Sequence, residues 1–384
     1  MRAFVFTDPA LASEAGRFVW LALDVEKKKN AAARKAYPAV ALPTYMIVHP
    51  GDGSVLSRRV GGMSVDQLRE FLRAGEATLV AARGGAAVAP ADTALARAER
   101  AYGAGDYETA AGAYVIALAT PPADPAADSR AVEAALFSLS TTNRNAEGLA
   151  VAGAARARFG RSPAGASVTA QALDFALAQP DSVPGRAALV AELEQATRAF
   201  VADSTIVLAA DDRSGMLGSL LSARQDAKDE AGAKAAADAW VTFLLSARAR
   251  DTTADQRTAS DGHLVSAALA AGEPERAVPA LQASERDVPG DYNPPVRLAA
   301  LYNAMKRYDD AQAAAKRSLA KAYGPRKLRV YSTLADAQIG AGDVAAARAT
   351  LDEGIAYGEA LPEGQKPTSL IAALTKKRDG LAKS

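Results

Sequence analysis

Three stretches near the C-terminus repeat one pattern at nearly one interval, and that interval restricts the possible folds more than any other feature. AGEPERAVPALQASERDVP, KRYDDAQAAAKRSL and AGDVAAARATL each set a turn ahead of an alanine-rich helix. Their equivalent alanines are Ala277, Ala311 and Ala347, so the spacings are 311 − 277 = 34 and 347 − 311 = 36. Gly272 and Gly342 fall at the turns, Leu281 and Tyr308 are larger residues of the pattern, and Pro289 closes the first unit. A period of this size holds two helices and a turn, and such a unit cannot bury its apolar face alone. Three consecutive units stack into a shared core.

The plan occurs most clearly in ALARAERAYGAGDYETAAGAYVIALATPP, which begins at Ala94. It offers a helix with Ala98, the turn Gly105-Asp106-Tyr107, a second helix with Ala110, Tyr114 and Ala117, and a stop at Pro122. Small residues let the paired helices approach, and the aromatics fill the gaps between pairs. A weaker unit, AGAKAAADAWVTFLL, puts Ala237 at 277 − 237 = 40 residues before Ala277, with Trp240 as its large residue. Between 128 and 225 the helices persist while the period blurs. SRAVEAALFSLSTTNRNAEGLAVAGAARARFG suggests one degenerate pair and SVTAQALDFALAQP the start of another; a separate helical bundle is the alternative. These units resemble tetratricopeptide repeats, and the resemblance implies an all-α solenoid whose groove takes a protein or peptide partner.

The N-terminal part has a different rhythm. Thr44 to His49 and Val55 to Val60 are short β-branched and aromatic runs around Pro50-Gly51-Asp52-Gly53, which predicts an antiparallel hairpin with a tight two-residue loop. Arg17 to Val25, RFVWLALDV, is almost unbroken apolar sequence, as in a strand buried on both faces. Glu26 to Tyr37 predicts a polar helix. Ser64 to Leu79 predicts another, capped by Ser64 and carrying Val65, Leu68, Phe71 and Leu72 on one face.

FVWLALDV, then YPAVALPTYMIVHPGDGSVLSRRVGG, then a closing helix resembles the thioredoxin family from its first active-site helix to its end. The resemblance implies an α/β fold in which Pro43 is cis, with Leu42, Pro43 and Thr44 gripping substrate peptide through the backbone. Trp20 and Asp24 match the family strand; Trp20 is expected as core packing, and Asp24 as a local cap at the strand end rather than a proton carrier. MRAFVFTDPALA resembles the stretch after the Cys-x-x-Cys motif, with Met1, Phe6 and Asp8 at the family spacing. The sequence contains no cysteine, so the motif and the central strand before it would fall ahead of residue 1. Either the sequence is N-terminally incomplete, with Met1 an internal methionine, or a degenerate domain survives as a packing module. Thiol–disulfide exchange needs a thiolate, so the enzyme reading stays tied to the first account and no catalytic residue is named.

At 384 residues two or three domains are expected. The expected division is a thioredoxin-like part over 1–82, a linker over 83–93 around RGGAAVAPAD, and helical repeats over 94–225 and 226–384. The 49% hydrophobic fraction with only 6% aromatics favours closely packed alanine-rich helices. The 45 basic and 44 acidic residues give +1 with no basic face, so neither nucleic acid nor an anionic membrane is an expected partner. The run Glu26 to Lys29 is expected on a solvated face. No segment has the length and apolarity of a membrane span, and the start lacks a signal peptide's charged and apolar regions. The compartment would be cytoplasmic for this sequence, or periplasmic if the true start lies upstream.

No cofactor or metal is expected. His49 and His263 stand far apart in sequence without acidic residues at ligand spacing. Ser318 and Lys321 match Ser-x-x-Lys inside a repeat helix, and no Gly-rich phosphate loop is present. Asp309 and Asp310 diverge by about 100° on a helix, a poor geometry for shared proton transfer. Two functions follow: a thioredoxin-family protein whose intact form is a thiol–disulfide oxidoreductase with a recruiting solenoid, or a non-enzymatic scaffold that binds peptides or partner proteins.

Overall fold

Short turns with one left-handed residue organise the helices. The computed structural model describes residues 1, 3–83 and 93–381; most of the expected 83–93 linker lies outside the described residues. A 3₁₀ turn over Pro9–Glu14 comes first, then another over Lys28–Asn30 running into helix α1, Ala31–Ala36. Strands β1, Thr44–Val48, and β2, Val55–Val60, precede α2, Val65–Arg83. Next come α3 (Ala94–Ala104), α4 (Tyr107–Ala117), α5 (Pro125–Thr141), α6 (Asn145–Phe159), α7 (Pro163–Leu177), α8 (Arg186–Ala202) and α9 (Ala210–Asp226). Then follow α10 (Glu230–Arg248), α11 (Ala254–Ala259), α12 (Asp261–Ala271), α13 (Val278–Asp287) and α14 (Asn293–Ala304). The last are α15 (Tyr308–Leu319), α16 (Lys327–Gly340), α17 (Val344–Glu359) and α18 (Thr368–Gly380). Among the described residues no helix is long and apolar enough to cross a membrane.

Six turns share one geometry. Gly105, Asn143, Lys228, Gly272, Lys306 and Gly342 have positive φ. In each turn the following amide donates to the carbonyl five residues back, as Arg144 does to Leu139 at 2.8 Å and Arg307 to Tyr302 at 2.9 Å. That bond satisfies a carbonyl left open at the helix end and reverses the chain. Half of these turns carry Asn or Lys at the left-handed position, and Asn143 and Lys228, within and just after the stretch 128–225, hide the turns from a search for glycine.

Chain contacts define two units, Met1–Phe18 with Ala39–Ala236, and Val19–Pro38 with Ala237–Ser384. In the first, β1 and β2 pair antiparallel, Thr44 with Val60 and Tyr45 with Arg59, with an irregularity at Ile47/Val48. Val5, Met63, Leu68, Phe71 and Leu72 form a small core that gathers the N-terminal residues, the hairpin and α2. The hairpin loop is wider than two residues: His49 and Ser54 close it, and His49 Nδ1 accepts the amides of Gly51 at 3.0 Å and Asp52 at 3.3 Å.

Helices α3 to α9 pack each on the next, around Tyr102, Tyr107, Tyr114, Leu136, Leu139 and Leu173. Within this stack α3 also touches α5, α5 touches α7 and α7 touches α9, whereas α4, α6 and α8 meet one another less. The odd-numbered helices therefore line the inner, concave wall. The second unit repeats the arrangement: α12 touches α14, α14 touches α16 and α16 touches α18, so these form its inner wall. Both stacks are helical solenoids built from successive antiparallel helix pairs.

The strand expected over Arg17–Val25 does not form. Val19 to Asp24 has no regular structure, and Val19, Leu21 and Leu23 are 89%, 77% and 50% exposed. A strand buried on both faces must pair both of its backbone edges, and among the described residues the sheet consists of β1 and β2 alone. Trp20, expected in the core, is 48% exposed for the same reason. The polar helix expected over Glu26–Tyr37 shortens to the 3₁₀ turn and α1.

Candidate functional site

Leu42, Pro43 and Thr44 lie together at the entry to β1. The Leu42–Pro43 peptide bond is cis, and both side chains are exposed. The Thr44 hydroxyl donates to the Ala41 carbonyl at 2.6 Å, and the Gly61 amide donates to the Pro43 carbonyl at 2.9 Å. The Pro43 carbonyl is thus engaged at the base of the hairpin.

Two arginines of β2 fasten this hairpin to the first helical pair. Arg58 is 7% exposed; its Nε donates to the Gly103 carbonyl at 3.0 Å, and its Nη1 donates to the Tyr107 hydroxyl at 3.4 Å. It places a cation among the last carbonyls of α3, where the helix dipole favours positive charge. Arg59 reaches Glu133 of α5 at 2.5 Å, and Gln67 of α2 donates to the same carboxylate at 3.5 Å.

Glu133 belongs to a ladder. Glu99 on α3, Glu133 on α5, Asp174 on α7 and Asp212 on α9 recur at 133 − 99 = 34, 174 − 133 = 41 and 212 − 174 = 38 residues, one on each helix of the inner wall. Glu99, Asp174 and Asp212 are exposed, and the Glu133 side chain is 33% exposed. All four carboxyls are nevertheless pushed up from the ordinary range, chiefly by desolvation. Water reaches them, but protein lies around them, as a concave wall provides. Arg130 offsets Glu99, and Arg59 with Arg130 offsets Glu133. The groups acting on Asp174 and Asp212 are Ser219, Asp211 and the Ala209 backbone, none of them cationic.

In the second unit, the residues before α1 contact the starts of the inner helices. Tyr323 donates its hydroxyl to Asp24 Oδ2 at 2.5 Å, and Arg326 Nε meets Glu26 Oε1 at 2.7 Å. Burial pushes the Glu26 carboxyl up, with Arg326 opposing the shift. Asp24 also accepts the Glu26 amide at 2.9 Å, so it caps a turn rather than a strand end. On the outer side, Arg317 pairs with Glu285 at 2.8 Å, and Gln282 donates to the Tyr302 hydroxyl at 3.1 Å, a cleft whose polar groups satisfy one another.

The remaining sequence candidates have structural partners. Ser318 is buried and donates to the Tyr292 carbonyl at 2.8 Å. Asp310 pairs with Arg307, and His263 packs with its ring 5.8 Å from that of Trp240. Among the described residues no group of three or more His, Cys, Asp or Glu is placed to hold a metal ion. Sequence reasoning missed Arg58, Arg59 and the carboxylate ladder. The ladder's signal was present as an acid recurring on every first helix, visible once the blurred repeats are placed in register.

No family model matches the chain, and no curated protein does. Among solved structures, the chain is similar to the TPR2AB domain of yeast Sti1 in its complex with pHSP90. The two are 17% identical with a TM-score of 0.29, over 75% of this chain and 98% of that one.

Proposed function

We propose that this chain is a non-enzymatic scaffold whose helical repeats, over 94–225 and 226–384, bind protein partners, and that the first array takes a cationic, extended segment along its inner wall. The observation that carries this reading is the ladder Glu99, Glu133, Asp174 and Asp212, with no cation among the described residues that act on Asp174 and Asp212. A carboxylate held in partly desolvated surroundings gains from an approaching cation, because the incoming charge replaces lost hydration. A row of such groups favours a segment carrying Lys or Arg at intervals, and salt weakens its attraction.

The test is fluorescence anisotropy of the full chain with a labelled Lys/Arg-rich peptide and a Glu-rich control. Preferential binding of the basic peptide, weakened at least fivefold by the pair Asp174→Asn and Asp212→Asn, is the expected result. Equal binding of both peptides, or no effect of the substitutions, would remove this reading.

For residues 1–82 a thioredoxin-like origin remains a proposal. The hairpin β1–β2 followed by α2 supports it; the two-stranded sheet and the irregular Val19–Asp24 weigh against it. With no cysteine in the sequence, none of its residues supplies the thiolate that exchange requires. The exposed Leu42 and Pro43, with the half-buried Thr44 beside them, are proposed as a peptide-gripping edge, and unchanged peptide binding in Pro43→Ala would count against that role.

A further inference from the structure

The second solenoid contains a polar receptor already filled by its own chain. Its walls come from the starts of three inner helices: Tyr292 before α14, the Tyr323–Arg326 loop before α16, and Gln365 before α18. The filling is a turn at Asp24–Asn30, closed by the Lys27 amide on the Asp24 carbonyl at 3.2 Å and by Asn30 Nδ2 on the same carbonyl at 2.7 Å.

Each receptor group meets one feature of the turn. Tyr323 binds the Asp24 carboxylate and Arg326 the Glu26 carboxylate, with Tyr292 adding a side-chain hydrogen bond to Glu26. Gln365, 3% exposed, directs Nε2 to the Val25 and Glu26 carbonyls, each at 3.4 Å. Lys27 Nζ stands 5.6 Å from the Tyr323 ring centroid. Gly324 makes the close approach possible. It has φ +63°, and a Cβ there would lie 2.8 Å from Glu26 Cβ and 3.0 Å from the Glu26 carbonyl.

The receptor reads two acids separated by one residue, together with the carbonyls at and between them. It does not read the apolar residues ahead, since Val19, Leu21 and Leu23 are exposed. We propose that this surface is a docking site for an Asp-x-Glu turn of a partner protein, held in reserve by the chain's own Asp24–Lys27. It belongs to the other unit from the acidic inner wall and takes a segment of opposite charge. The hold can be exchanged: the Arg326 side of its ion pair is half exposed, and such pairs are individually weak, so a partner segment must outcompete only the advantage of the tether.

The experiment uses the full chain and the labelled peptide LALDVEQQQNAA, with LALNVQQQQNAA as the neutral control. The chain carrying Asp24→Asn and Glu26→Gln, which vacates the receptor without altering it, should bind the acidic peptide at least tenfold more tightly than the unsubstituted chain. Adding Arg326→Ala or Gly324→Ala should abolish that binding. In the unsubstituted chain, which needs no variant to fold, excess acidic peptide should speed tryptic cleavage after Lys27, Lys28 and Lys29, and the neutral peptide should not. Equal affinity of both chains for the peptide, equal effect of the neutral peptide, or unchanged cleavage would overturn the proposal. So would a concentration-dependent dimer in light scattering that the acidic peptide dissociates, because the occupant would then be a second copy of this chain.

Discussion

Arg248 Nη1 lies 2.8 Å from Asp261 Oδ1, and Asp261 is completely buried. The same guanidinium also donates to the Ala280 carbonyl and the Ser284 hydroxyl, each at 3.0 Å, so one arginine ties α10 to α12 and α13. Removing one member of a buried pair leaves the other uncompensated, at a cost of about 3–5 kcal/mol. Arg297, 4.0 Å from Asp261 Oδ2, compensates in part. Arg248→Ala should therefore destabilise the second unit by about 3 kcal/mol in urea unfolding, and Arg248→Met with Asp261→Asn by clearly less.

Lys306 sits at φ 57° in the turn between α14 and α15. A side chain there costs about 1–2 kcal/mol relative to glycine, partly offset because glycine loses more chain entropy on folding. Lys306→Gly should stabilise by roughly 0.5 kcal/mol by these opposing terms, and Lys306→Ala should not stabilise at all. Urea unfolding with hydrogen exchange at α14 and α15 separates the two.

Arg58→Ala removes a charged donor from the Gly103 carbonyl. Hydrogen bonds to charged groups contribute about 1.5–3 kcal/mol, so local opening of the β1–β2 hairpin should become easier by about 2 kcal/mol. Hydrogen exchange of the Tyr45–Val48 amides should quicken while that of α7 stays unchanged.

The Asp203 carboxyl is held down to about 2, first by the Thr205 hydroxyl and amide and then by Arg161. An unpaired aspartate titrates near 3.9, so the folded value is the lower one. This group's contribution to stability is present above about pH 4 and is lost as pH falls toward 2. Asp203→Asn should flatten the thermal stability profile across that window.

Asp174 behaves oppositely, because desolvation raises its carboxyl and the folded state prefers the neutral form. Its destabilising effect grows as pH rises through the folded value and persists at neutral pH. Asp174→Asn should raise the melting temperature at pH 7, have less effect at pH 4, and weaken basic-peptide binding. Retaining a costly carboxylate on the inner wall is the pattern expected of a binding surface.

Local chemistry made much of this fold legible. The spacing of Ala277, Ala311 and Ala347 specified paired helices, because small residues must recur wherever helices cross. Thr44–Val48 and Val55–Val60 specified a hairpin because each run and the turn between them are complete in themselves. Arg17–Val25 misled, because an apolar run becomes a buried strand only if neighbours pair its backbone, and pairing is a property of the tertiary fold. The middle repeats were obscured where Asn143 and Lys228 occupy left-handed positions that stacking enforces. Only the tertiary structure set four carboxylates from separate helices along one wall and brought Asp24 and Glu26 against Tyr323 and Arg326. Those relations join residues dozens to hundreds of positions apart, and no local propensity encodes them.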